Sequence, residues 1–271
     1  MRPLPVFLAL SAVCAASVAQ QAPPPDPPSP ITDRFALRAD AFFGTVKTQA
    51  RIDDTATATP GTEFSAEDDF HLSPRARQVR AEFMFRLRER NRLRVDMWQL
   101  TRDAVGSPPR TISYGASSFT PADVVASHFD WLQIDITYNY SVLRSSRFEL
   151  GAGLGLHLLQ AEAEASVAAR GVREDLSGSG PFATLALDGT WCITQRFALT
   201  ARAQSFSLRS NSILGELGDY RVDLQFRWRP NLAFGVGYES TQTRLDVSNH
   251  DPSGLLRLDT RGPALFARAS F

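Results

Sequence analysis

His128 and Asp130 stand two residues apart, which puts them on one face if the segment is a strand. An imidazole oriented by a carboxylate can take a proton from water, so the pair is the candidate catalytic site of a hydrolase. No second pair of aspartates is identifiable on a facing strand, and the parity of the segment aims both side chains away from its polar face. A second group of oxygens, Asp53, Asp54, Glu63, Glu67, Asp68 and Asp69, is balanced only by Arg51. Divalent ions need such ligands, but the spacing matches no calcium loop, so a solvated acidic loop is expected and no metal. No phosphate-binding glycine loop, nucleophile elbow or zinc spacing occurs, and no cofactor is expected. His157 reads as a satisfied interior residue rather than a proton switch.

Most of the ionisable chemistry lies in strictly alternating segments. From Asp219 to Arg229, Tyr220, Val222, Leu224, Phe226 and Trp228 share one parity; Asp219, Arg221, Asp223, Gln225, Arg227 and Arg229 share the other. A period of two over that length specifies a strand with one apolar and one polar face. The same design recurs in segments starting near Arg34, Arg75 and Arg92, ending near Tyr140, and starting near Phe148, Ala183, Phe197, Leu232 and Leu255. That makes ten strands, joined alternately by long and short connections. Trp98 and Leu100 depart from the alternation, as do the residues after Leu158, so bulges are expected near Met97 and beyond Leu158. Long loops are expected over about residues 48–74 and 106–122, with roughly 15 residues ending at Ser177-Gly178-Ser179-Gly180 and a shorter loop from Asn211 to Gly218.

Which face points outward decides the class. A soluble barrel hides its apolar face. Here glycines sit on the polar face beside charges (Gly151, Gly153, Gly155, Gly235, Gly237), where they make room in a narrow lumen. Aromatics mark the apolar face near the short turns: Phe35, Phe85, Tyr140, Phe148, Trp191, Phe197, Trp228 and Phe271. They read as an interfacial girdle. The expected fold is all-β, a ten-stranded antiparallel up-and-down transmembrane β-barrel, whose first and last strands pair because an open edge in lipid strands polar groups.

The expected lumen network comprises Arg38, Asp40, Arg80, Glu82, Arg86, Arg94, Asp96, Asp135, Glu149, Asp188, Arg202, Arg221, Asp223, Arg227, Glu239 and Arg268. Its signs nearly balance. A packed salt-bridge network is the plain expectation and a narrow polar pore the functional one. Lys47 is the only lysine; arginine's planar fork suits crowded ion pairs. The formal net charge is zero, which gives no reason to expect nucleic acid.

Arg2, the apolar run Leu4 to Ala16 and the small-x-small Ser17-Val18-Ala19 read as a signal peptide over residues 1–19. Ser11 and Val13 fit poorly before a lipidated Cys14, and after cleavage Cys192 is the only thiol. Residues 20–33 form a Pro-rich leader, with six prolines between Ala22 and Pro30, and residues 34–271 form the barrel.

The ending Leu265-Phe266-Ala267-Arg268-Ala269-Ser270-Phe271, with its aromatic last residue, resembles that of Gram-negative outer-membrane β-barrel proteins. The turns Glu89-Arg90-Asn91-Arg92-Leu93 and Leu143-Arg144-Ser145-Ser146-Arg147 resemble uncharacterised proteobacterial barrels of this size. The resemblance implies an outer-membrane location and short turns with both termini in the periplasm. It further implies Phe271 as a signal read by the barrel-assembly machinery, and contact with outer-membrane lipid and lipopolysaccharide. Ala269 departs from the Tyr or Phe usual at its position. A monomeric, non-enzymatic structural barrel or narrow pore is the leading expectation; a rim hydrolase and a surface-loop adhesin or receptor are the alternatives.

Overall fold

The computed structural model describes residues 28–54, 56–57, 59–210, 212–248 and 253–271. The expected signal peptide, residues 1–19, and residues 20–27 of the expected leader lie outside the described residues. The strands are β1 (Phe35–Ile52), β2 (Phe64–Ser65), β3 (Arg75–Arg88), β4 (Asn91–Gly106), β5 (Ile112–Tyr114), β6 (Ser117–Phe119), β7 (Val125–Arg144), β8 (Phe148–Val167), β9 (Val172–Cys192), β10 (Phe197–Arg209), β11 (Ile213–Arg229), β12 (Leu232–Val247) and β13 (Gly254–Ser270). Ten of them form a closed antiparallel wall in the order β13-β12-β11-β10-β9-β8-β7-β4-β3-β1, with β1 pairing back onto β13 from Ala36↔Ser270 to Ile52↔Gly254. The amides of Arg34 and Phe35 donate to the Phe271 carbonyl, and the Phe271 amide donates to that of Phe35. No edge remains to leave backbone groups unpaired in lipid. β2 and the β5–β6 hairpin belong to the two long loops.

The barrel wall is taller than a bilayer. β7 and β8 have 20 residues each and β9 has 21, whereas ~10 tilted residues cross the ~25 Å apolar band. The expected loop ending at Gly180 is strand instead: Ser177–Gly180 pair in register with Leu159–Glu162. The turn is only Ala168–Arg170 plus Gly171, whose φ of 62° is left-handed. Likewise β11 starts at Ile213, so most of the loop expected from Asn211 to Gly218 is strand. Serine and glycine in these stretches mimic loop composition, but the pairing of their neighbours fixes them.

Neither expected bulge forms. Register runs unbroken through Ala81↔Met97 and Arg80↔Trp98, and through Ile134↔Leu158 and Gln133↔Leu159. Irregularities occur instead beside short turns, at Arg86/Arg88, Ser141/Leu143 and Arg227/Arg229. The parity never changes; the composition of the two faces does. On β8, Leu154, Leu156 and Leu158 face outward below, and Gln160 and Glu162 continue the same face above. Inside, His157 gives way to Leu159. On β1, Arg38 and Asp40 are inside below, and Phe42 and Val46 above them.

The lower part therefore has the membrane pattern and the upper part that of a water-soluble barrel. Trp191 and Trp228 on the lower outer face are 52% and 54% exposed, while Trp98 and Trp131 in the upper interior are 3% and 2% exposed. They pack with Phe42, Val46, Leu100, Phe129, Leu159, Leu217 and Leu258 in one cluster. Above it Phe64, Phe70, Ile112, Tyr114 and Phe119 of the two long loops form a second cluster with the strand tops.

The outward band is tested by charge placement. Leu154, mid-band and 65% exposed, when changed to Arg costs about 2–4 kcal/mol in vesicle-refolded protein; Gln160→Arg, past the band, costs about 0–1. Reversible denaturant titration measures both, and equal costs would refute the assignment.

Candidate functional site

Below the apolar cluster the lumen is filled by ion pairs grouped around two hubs. Both terminal guanidinium nitrogens of Arg202 donate to Glu82, which also faces Arg221 at 3.4 Å and Arg94 at 3.5 Å. Arg80 faces Asp96 at 3.1 Å, Asp219 at 3.4 Å, Glu239 at 3.5 Å and Asp135 at 3.7 Å. Arg38 joins Asp40 and Asp223 at 2.5 and 2.6 Å, and Arg221 reaches Glu239 at 3.2 Å. Nearer the short turns, Glu149 accepts from Arg86 at 2.8 Å, and Arg92 meets Asp188 at 2.8 Å. These groups come from strands on opposite sides of the wall, so one network ties the barrel across its axis. His157 is fully buried, its Nδ1 2.6 Å from Asp135 and its Nε2 2.9 Å from Gln204.

Glycines supply the space. A Cβ on Gly151 would stand 2.5 Å from Asp188 Oδ1, and one on Gly237 would stand 2.2 Å from Asp223 Oδ1.

The network includes residues beyond the sequence expectation. Arg92 and Asp219 share the parity of Arg94 and Arg221, a signal that could have found them. Asp33 carries no such signal. It lies just before β1, in a segment that turns into the barrel mouth at the short-turn end: its carboxylate accepts from Arg227 at 2.6 Å and Arg268 at 3.2 Å. Ile31 is buried beside Cys192 and Ala198. The Pro30 carbonyl accepts from Arg86 and the Ile31 carbonyl from Arg144. Between this mouth and the hubs is a cavity of about 20 Å³ lined by Pro30, Arg92, Arg94 and Arg202 among others, room for about one water.

The acidic first loop differs from the solvated one expected. Glu67 accepts from Arg102 at 2.5 Å and from the Thr48 amide at 2.8 Å. Asp69 is buried and accepts from Arg110 and the Ser65 amide. These carboxylates hold the loop over the mouth. No group of three or more acidic, His or Cys side chains suited to a metal occurs among the described residues.

At the rim, the carboxylate on His128 is Asp103, directly across on β4, with Nδ1–Oδ1 at 2.6 Å. Asp130 is engaged elsewhere, accepting from Gln99 at 3.1 Å and from the Thr101 hydroxyl. Both His128 and Asp130 face outward, as their parity requires, on the wall above the apolar band rather than in the lumen. Asp103, His128 and Glu164 border a shallow depression of about 400 Å³. The Asp103 hydrogen bond raises the His128 pKa, with smaller contributions from the Asp130 and Glu164 charges and opposition from partial desolvation.

A raised histidine pKa favours the protonated fold. That contribution is complete below the unfolded value of about 6.5 and fades as pH rises through the folded value. NMR titration of His128 should give a midpoint above 6.5 that falls in Asp103→Asn; an unchanged midpoint would refute the pairing.

No protein-family model matches the chain, and no curated protein sequence matches it significantly. Solved structures do. The outer membrane protease OmpT from Escherichia coli superposes with a TM-score of 0.55 at 11% identity, over 87% of this chain and 97% of that one. The Ralstonia pickettii toluene transporter TbuX gives 0.38 at 9%, over 88% and 90%. Neisserial surface protein A gives 0.34 at 14%, over 88% and 97%. At such identities the likeness concerns the fold alone. The structural neighbours of this chain are Gram-negative outer-membrane β-barrels, and the chain has their architecture, closed here by ten strands.

Proposed function

We propose that this protein is a closed, non-conducting outer-membrane barrel that anchors a water-facing half-barrel and its loops above the lipid. The observation that carries this reading is the apolar layer of Trp98, Trp131, Phe42, Phe129, Leu159, Leu217 and Leu258 across the upper lumen. Ions do not cross a dry apolar layer, and the hubs below it are occupied by one another. The leader closes the other mouth through Ile31 and Asp33. In this reading the signal is removed after Ala19, Phe271 guides insertion by the assembly machinery, and the barrel works as a monomer. The charged lumen then sets register and shape rather than selectivity, so the passive-pore reading takes second place.

The rim hydrolase reading keeps one specific support, the oriented His128 imidazole beside Asp103. The dyad so built has Asp103 in the place first given to Asp130. Hydrolysis retained in His128→Ala would remove it.

Refolded protein in planar bilayers should give no current steps at any voltage, while retaining a heat-modifiable gel shift. Trp98→Ala with Trp131→Ala should open leak currents and cost about 3–5 kcal/mol per site. Stable single-channel steps from the unmodified protein would overturn the closed-barrel reading.

A further inference from the structure

The cavity between the short-turn mouth and the hubs has more cations than anions on its lining. Arg92, Arg94, Arg202 and Arg268 border it with only Glu82 and Asp188. Adding the buried ion-paired groups at the mouth, Arg86, Arg227, Glu149 and Asp33, leaves the excess of cations unchanged. The ladder also sets like charges side by side: Arg86 is directly opposite Arg92, and Arg38 directly opposite Arg268. Such pairs repel. The carboxylates around Arg80 do not relieve them. None is within salt-bridge distance of a lining arginine among the described residues.

Arg94 is the clearest case. It is 7% exposed, and its guanidinium donates no hydrogen bond to a described residue; Glu82, 3.5 Å from Nε, is its one carboxylate within salt-bridge distance. Nε and Nη2 of Arg92 and Nε of Arg268 are also buried without a hydrogen-bond partner. Every unpartnered buried polar atom on the lining is therefore a donor. Glu82 and Asp188 are already engaged, by Arg202 and Asn139. A water would accept from the free donors but bring two hydrogens of its own, whereas an anion only accepts. Buried donors without acceptors, and buried charge without counter-charge, are costly. The volume of about 20 Å³ holds about one water-sized sphere. A monatomic anion fits; a phosphate or sulfate, with four oxygens, does not.

We propose that this cavity binds one chloride-sized anion, held by Arg92, Arg94 and Arg268 inside the charged lumen. The ion supplies the acceptor that these donors lack, and it ties β4 to β13, strands that do not pair with each other. Pro30 is the one lining residue outside the wall, so the segment before β1 caps the ion from the short-turn side.

The test is crystallography of the full chain, refolded in detergent without halide, equilibrated with sodium bromide and measured at the bromine absorption edge. An anomalous peak should stand among Arg92, Arg94 and Arg268. In solution, urea unfolding is compared in sodium chloride, sodium bromide and sodium gluconate at equal ionic strength. Saturating halide should lower the unfolding equilibrium constant at least about tenfold relative to gluconate, the effect of a ligand at ten times its dissociation constant. Arg94→Met should abolish that difference. Arg75→Gln/Arg77→Gln, which removes two exposed cations of the outer wall, should keep it. A heat-modifiable gel shift shows each variant folded, and if Arg94→Met does not fold, the bromide peak in the unmodified protein decides alone. A cavity without anomalous density, equal unfolding in all three salts, or a halide effect that survives in folded Arg94→Met would overturn the proposal.

Discussion

A β-strand cannot turn over partway along its length. Side chains alternate with period two, and shifting a strand's faces requires an extra residue and a break in its ladder. The barrel meets this constraint at the level where its strands leave the lipid. There the outer face must change from apolar to polar, and the inner face must change the other way if the upper half is to have a core. Along β1, β4, β7 and β8 both exchanges occur at one level without a bulge. Phe42 follows Asp40, Trp98 follows Asp96, Trp131 precedes Gln133 and Leu159 follows His157, each on the inner face.

Below that level the interior is polar because its surroundings are not. With lipid outside, burying more apolar surface in the lumen gains little that the outer face does not already supply. The lumen instead gains a network whose members need one another. Removing Glu82 would leave Arg202, Arg221 and Arg94 facing a missing charge, and a buried ion without its partner is costly. Because the hubs join β3 to β10, β11 and β12 across the axis, any register slip would separate several pairs at once. Arginine serves this geometry better than lysine, since one planar fork can meet two carboxylates, as Arg38 meets Asp40 and Asp223.

The wall and its handling of charge were legible in the sequence because they depend on parity alone. The stretch from Asp219 to Arg229, the girdle aromatics and the lumen glycines all carry their message locally. What was misread also followed from parity. Trp98 and Leu159 looked like phase errors because the polar face was assumed to be polar throughout. The exchange of faces shows only when neighbouring strands are aligned at one height, and a single segment does not contain that information. Ser177–Gly180 looked like a loop for the related reason that the Leu159–Glu162 ladder holding it lies elsewhere in the chain. The partner of His128 was missed because Asp103 is next to it only across β4 and β7, whereas Asp130 is next to it in the sequence.

The two mouths are closed by different means, and the difference bears on where function resides. At the short-turn end a short stretch before β1 supplies Ile31 to an apolar pocket and Asp33 to two arginines that have no other carboxylate within salt-bridge distance among the described residues. At the opposite end, the first two long loops bury aromatics in one another and lock down through Glu67 on Arg102. Each closure uses groups that the wall leaves incomplete, so wall and plugs complete one another's pairing. In the closed-barrel reading proposed above, an interior built in this way serves structure. The surfaces that remain free to act are those above the lipid: the loop tips, the acidic flank around His128 and the basic flank around Arg75. On a closed barrel those flanks keep a fixed height and orientation above the apolar band.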